Sequence, residues 1–155
     1  MPAAMTIHTV NRLAGILNSP DAPAAEDMIA DAQARIDGLT GDLQAYVVDC
    51  VKQIIAIHAQ GEEALFGESL VVGDLAMNIA EVCTGRKLEA IGEIARGIRT
   101  MIDSLVTLGV WHTDALNLHI TSLDRLTGRD RPCEAEIERV LTDLRQMRHR
   151  IGAAD

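Results

Sequence analysis

The chain has 155 residues, enough for one domain with a full core and too few for two comfortable ones. Hydrophobic residues make up 48% but aromatics only 2%, and no proline falls between Pro23 and Pro132, so the balance favours helices over strands. A net charge of −9 argues against nucleic-acid binding and against anionic membrane surfaces, and no apolar run approaches the ~18 residues of a membrane span.

Residues 1–5 are expected to be disordered. A short helix is predicted over about Ile7 to Asn18, with Val10, Leu13, Ile16 and Leu17 on one stripe. The segment NSPDAP then breaks the chain. One long helix follows over about 24–60. Its seam, Ala32, Ile36, Leu39, Leu43, Tyr46 and Cys50, advances in alternating steps of four and three and holds its phase across Gly38 and Gly41. Val47, Val51, Ile54 and Ile55 widen that seam into a core face. Gln60 to Glu63 reads as a turn or helix end.

The next helix is predicted over about Gly67 to Cys83, with Leu70, Val71, Leu75, Ile79 and Val82 inward, stopped by Thr84-Gly85. Another runs from about Arg86 to Leu108 on the stripe Leu88, Ile91, Ala95, Ile98, Ile102 and Leu105. Gly92 and Gly97 lie off that stripe, either to admit a close neighbour or as tolerated residues. After a break at Gly109 to His112, Thr113 is a good N-cap for a helix to about Leu126, with Ala115, Leu116, Leu118 and Leu123 as its apolar surface. Asp130 can cap the last helix, which carries Ile137, Val140, Leu141, Leu144, Met147 and Ile151 on a narrow seam. Its early glutamates and late arginines, Arg148 among them, suit the helix dipole. The whole reads as an all-α protein of five or six helices on an antiparallel four-helix bundle. Residues 6–131 would form the bundle, and 132–155 a C-terminal helix packed on it or dimerising.

Chemistry is sparse. The first 75 residues hold 3 basic and 11 acidic side chains and the rest 11 and 12, so the acidic half could steer a basic partner or simply be solvated. Cys50, Cys83 and Cys133 are scattered, which suggests free thiols and a cytoplasmic setting. Cys50 and Cys83 fall on inward faces and read as small core residues. His112 and His119 are seven residues apart and could share a helix face, but no metal-ligand spacing surrounds them, so no metal is expected. His58 ends the long helix, far from a helpful lysine. No nucleotide-binding or hydrolase motif occurs, and no cofactor or catalytic residue is expected.

Three stretches carry a family resemblance: VNRLAGILNSPDA, VVGDLAMNIAEVCTGRKLEAIGEIARGIRTMIDSL and HTDALNLHITSLDRL. Over about Thr9 to Leu126 the chain resembles alphaproteobacterial chemotaxis-associated proteins of the CheE type. That group in turn looks like a degenerate histidine phosphotransfer (Hpt) domain. In an Hpt hairpin a central His is followed at the third and fourth places by Lys-Gly, and a Leu-Glu-Ala-Leu-like start opens the second helix. Leu88-Glu89-Ala90-Ile91 matches that start. Counting back sets Met77 or Asn78 at the histidine place, and the Lys-Gly pair falls on Ala80 and Glu81 or on Glu81 and Val82. Met offers no nucleophilic nitrogen, the Asn amide is a weak nucleophile, and Glu81 would repel phosphate. The resemblance therefore implies a non-catalytic signalling or adaptor module that docks a response-regulator receiver domain or a kinase. The face around Met77, Asn78, Glu81 and Arg86 would make that contact. An active phosphocarrier using His58 or His119 is one alternative. A structural homodimer built on the C-terminal helix is another.

Overall fold

The structure, a computed structural model, describes residues 25–83, 88–128 and 130–153, with side chains at all of these except positions 25, 36, 37 and 40. The expected N-terminal helix, the NSPDAP break, the Thr84-Gly85 stop and Arg86 lie outside the described residues. The described chain is all-helical: α1 (Ala25–His58), α2 (Glu62–Gly67), α3 (Ser69–Val82), α4 (Glu89–Leu108), α5 (Thr113–Thr127) and α6 (Glu134–Arg150).

The single long helix is present as expected. α1 runs unbroken for 34 residues through Gly38 and Gly41, whose absent side chains would have met nothing within 4 Å. The chain divides into two compact units, Met1–Gly41 and Asp42–Asp155. In the first, the described residues are the N-terminal half of α1, and every described side chain is exposed. In the second, Val47, Cys50, Val51 and Ile54 of α1 enter a core shared with α2 to α6. The expected seam is thus only partly a core face. Leu39 (62% exposed), Leu43 (42%) and Tyr46 (44%) stay outside, and the buried face is the turn-by-turn set 47, 50, 51 and 54.

The expected turn at Gln60–Glu63 is real but shorter. Gly61 takes φ 102, a left-handed conformation that suits glycine, and the backbone re-enters a helix at Glu62. α4 lies at the centre, packed on α3, α5 and α6. Gly73 faces Ile102 near one end of the α3–α4 pair and Cys83 faces Gly92 near the other, so these helices run antiparallel. Surrounded in this way, α4 buries Ile91, Gly92, Ile94, Ala95, Gly97, Ile98, Met101 and Ile102, a wider face than the expected stripe. Each buried Ile or Met contributes about 1.5–3 kcal/mol through removal of apolar surface from water. Gly109, φ 66, ends α4 in a left-handed cap with its N–H on Leu105 O.

Three inward assignments are corrected. In α3 the core face is Ser69, Val72, Gly73, Ala76, Ile79 and Ala80, whereas Leu70 and Val71 are exposed. Small residues let α3 lie close on α4, so the larger aliphatics fall on the outer side. In α5 Leu118 is exposed, and His119, Ile120 and Leu126 join Ala115, Leu116 and Leu123 inside. The residue preceding that helix is His112, with Thr113 its first residue. In α6 the helix begins after Cys133, not Asp130, and Glu136 accepts the Cys133 N–H at 3.3 Å. Ile137, Leu141 and Leu144 of α6 are buried against α4 and α5. Arg148 is buried with them, at 5% exposure, and is not a solvated last-turn cation.

Candidate interaction face

Burial of Val72, Ala76, Ile79 and Cys83 fixes the rotation of α3, and the same rotation fixes what it presents outward. Leu70, Asp74, Met77 and Glu81 follow one another at steps of three and four along the outer side. Val71 and Asn78 lie beside them. All six are exposed. The three expected contact residues that are described, Met77, Asn78 and Glu81, therefore share one accessible face. Arg86 lies outside the described residues.

The face mixes apolar and acidic side chains, with Asp74 and Glu81 in the same row as Leu70 and Met77. Asp74 is bound by Arg99 of α4 at 3.1 Å, and Arg99 also reaches Asp103 at 3.0 Å. Tyr46 of α1 stands near Glu81. Its phenol is held above the ordinary tyrosine value chiefly because the hydroxyl donates to the Cys50 thiol, and the Glu81 carboxylate pushes in the same direction. The face offers a thioether, an amide and carboxylates, which can bind a partner but give no strong nucleophile.

The histidines separate. His58 is half-buried, and its Nε2 lies 3.0 Å from Asn117 Oδ1. His112 is exposed, while His119 is fully buried, so the two do not share a face and His119 is not part of a polar rim. His119 Nδ1 donates to Ala115 O at 2.8 Å, and its Nε2 accepts from Arg148 Nη1 at 3.3 Å. Burial is the main reason its pKa falls to about 4, and the Arg148 charge works in the same direction. A buried, neutral imidazole with both nitrogens engaged presents nothing to an incoming phosphoryl group. Cys50 and Cys83 are buried, and desolvation pushes the Cys83 thiol up to about 11, away from the thiolate a nucleophile needs. Among the described residues no three His, Cys, Asp or Glu side chains converge as a metal site would require, and no helix is long and apolar enough to cross a membrane.

Sequence reasoning missed two things here. One is the His119–Arg148 pair over Gly97, which joins α4, α5 and α6 and has no local pattern to announce it. The other is the outward position of Leu70 and Val71, which the low volume of Gly73, Ala76 and Ala80 could have signalled. Compared with protein-family models, with curated proteins and with solved structures, the chain has no match.

Proposed function

We propose that this chain is a non-catalytic adaptor of bacterial chemotaxis or two-component signalling that binds a receiver domain through the outer face of α3. One observation carries the reading: Leu70, Val71 and Met77 are exposed together on one helix whose opposite side is fully used by the core. Exposed apolar side chains grouped on a rigid helix suit helix-face recognition. Asp74, Asn78 and Glu81 would supply the polar contacts that set orientation. The sequence resemblance supplies the class of partner, and the residue types on the face suit docking better than phosphate transfer. Receiver domains and kinases of the same cell, presented to the immobilised chain, test the proposal. Capture of a receiver that is lost on Asn78→Arg or Glu81→Arg supports it. Capture of a kinase alone would replace the partner. No capture of either, or binding unchanged by both substitutions, overturns it.

A further inference from the structure

The end of the bundle where α4 gives way to α5 poses a separate question. Arg99 of α4 binds Asp74 of α3 at 3.1 Å and Asp103 of its own helix at 3.0 Å. The two helices run antiparallel, so one turn beyond that bridge Leu70 of α3 and Val106 of α4 continue the same row. Further on, α4 ends at Leu108, and Val110 leads into Trp111. The Trp111 ring meets Phe66 of α2 in a T-shaped contact with centroids 5.2 Å apart. Phe66, Leu70, Val106, Leu108 and Val110 are all exposed, while Trp111 packs against the core and anchors the group. The hydroxyls among them are taken up by their own helix: Ser104 donates to Thr100 O and Thr107 to Asp103 O. Large apolar side chains gathered in this way on rigid elements mark an interaction surface.

The charges around the patch decide what covers it. α2 and α3 contain no Lys or Arg, and their acidic residues are Glu62, Glu63, Glu68, Asp74 and Glu81. From Thr100 to Asp124 there is again no Lys or Arg, while Asp103, Asp114 and Asp124 are present. Arg99, the cation next to the patch, is already matched by two carboxylates. A second copy of the chain would set this acidic rim against itself, and an anionic lipid surface would be repelled in the same way. We propose that the patch binds an amphipathic helix of a partner protein whose apolar stripe is flanked by lysines or arginines. The apolar side chains supply the buried area, and the exposed Glu63 and Glu68 supply ion pairs at its rim. Leu70 belongs also to the outer face of α3, but Phe66, Val106, Leu108 and Val110 lie outside it, so this contact does not depend on receiver binding.

Two synthetic amphipathic helices free of tryptophan test this, one built of Leu and Lys and the other of Leu and Glu. Trp111 is the only tryptophan and reports from the patch itself. Fluorescence titration of the full chain should show saturable binding of one Leu-Lys peptide per chain and none of the Leu-Glu peptide. Val106→Ser with Leu108→Ser should weaken that binding by about tenfold or more, with melting unchanged because both positions are exposed. Glu63→Lys with Glu68→Lys should weaken it by a similar factor. Asn78→Arg with Glu81→Arg, which probes the receiver-docking face, should change it by no more than about threefold. Failure of the Leu-Lys peptide to bind, or equal binding of both peptides, overturns the proposal. So does an affinity indifferent to either the serine pair or the lysine pair, or one that the Asn78 and Glu81 substitutions reduce as much as those do.

Discussion

His119 is neutral in the fold because burial holds its pKa at about 4, whereas an exposed histidine titrates near 6.5. As pH falls from about 6.5, the unfolded chain takes up the proton first. Stability attributable to this residue is therefore lost between about pH 6.5 and pH 4, and below that the loss is complete. Urea unfolding should show about 2 kcal/mol less stability from His119 at pH 5 than at pH 7, and a His119→Gln chain should lack that component of the pH slope. An identical slope in both proteins would mean that the imidazole titrates normally. Gly97 lies under the same pair. A β-carbon there would come within 2.5 Å of Arg148 Nη1 and 2.9 Å of the His119 ring, so Gly97→Ala should destabilise by about 1–3 kcal/mol. Gly92→Ala should do the same, because its β-carbon would lie 2.8 Å from the Cys83 carbonyl oxygen, which is backbone and cannot swing aside. Thermal melts check both. The sequence left these glycines open between close approach and tolerance. The structure decides for close approach, because the neighbour of each comes from outside α4 and leaves no trace in the spacing of that helix.

At the scale of elements, legibility followed residue volume. The stripe of α4 was readable because Ile91, Ala95, Ile98 and Ile102 are mostly large and evenly spaced, and all are buried. α3 was misphased because its core face is made of Gly73, Ala76 and Ala80, while its bulkier Leu70 and Val71 point outward. Hydrophobic period alone weights volume toward the interior, and it errs where helices approach closely through small residues. That same error hid the candidate face: the outer residues Met77, Asn78 and Glu81 were named, but Leu70 and Val71, which make the face apolar, were assigned to the core. α1 gives a test at this scale. Gly38 and Gly41 have open space around the missing β-carbon, so Gly38→Ala and Gly41→Ala should each favour the helix by about 0.5–1 kcal/mol. Far-ultraviolet circular dichroism of the double variant should show helicity at α1 that melts at higher temperature than in the parent. No gain would mean that these glycines hold a conformation that alanine cannot adopt.

Across the whole molecule, stabilisation is unevenly placed. Every buried side chain among the described residues lies at position 47 or beyond, and the described side chains from Glu26 to Tyr46 are exposed. The composition forecast one helical domain with one core, and it could not forecast that so much of a 34-residue helix would contribute nothing to it. A heptad seam looks the same in sequence whether it serves the chain's own core or another helix. Amide hydrogen exchange distinguishes these uses, because local opening follows the burial each segment enjoys. In dilute protein, amides over 91–102 of α4 should open only with global unfolding, while those over 29–43 should exchange by a much lower-energy route. Equal protection in the two segments would show that the N-terminal part of α1 is held as firmly as the core, despite its exposed side chains.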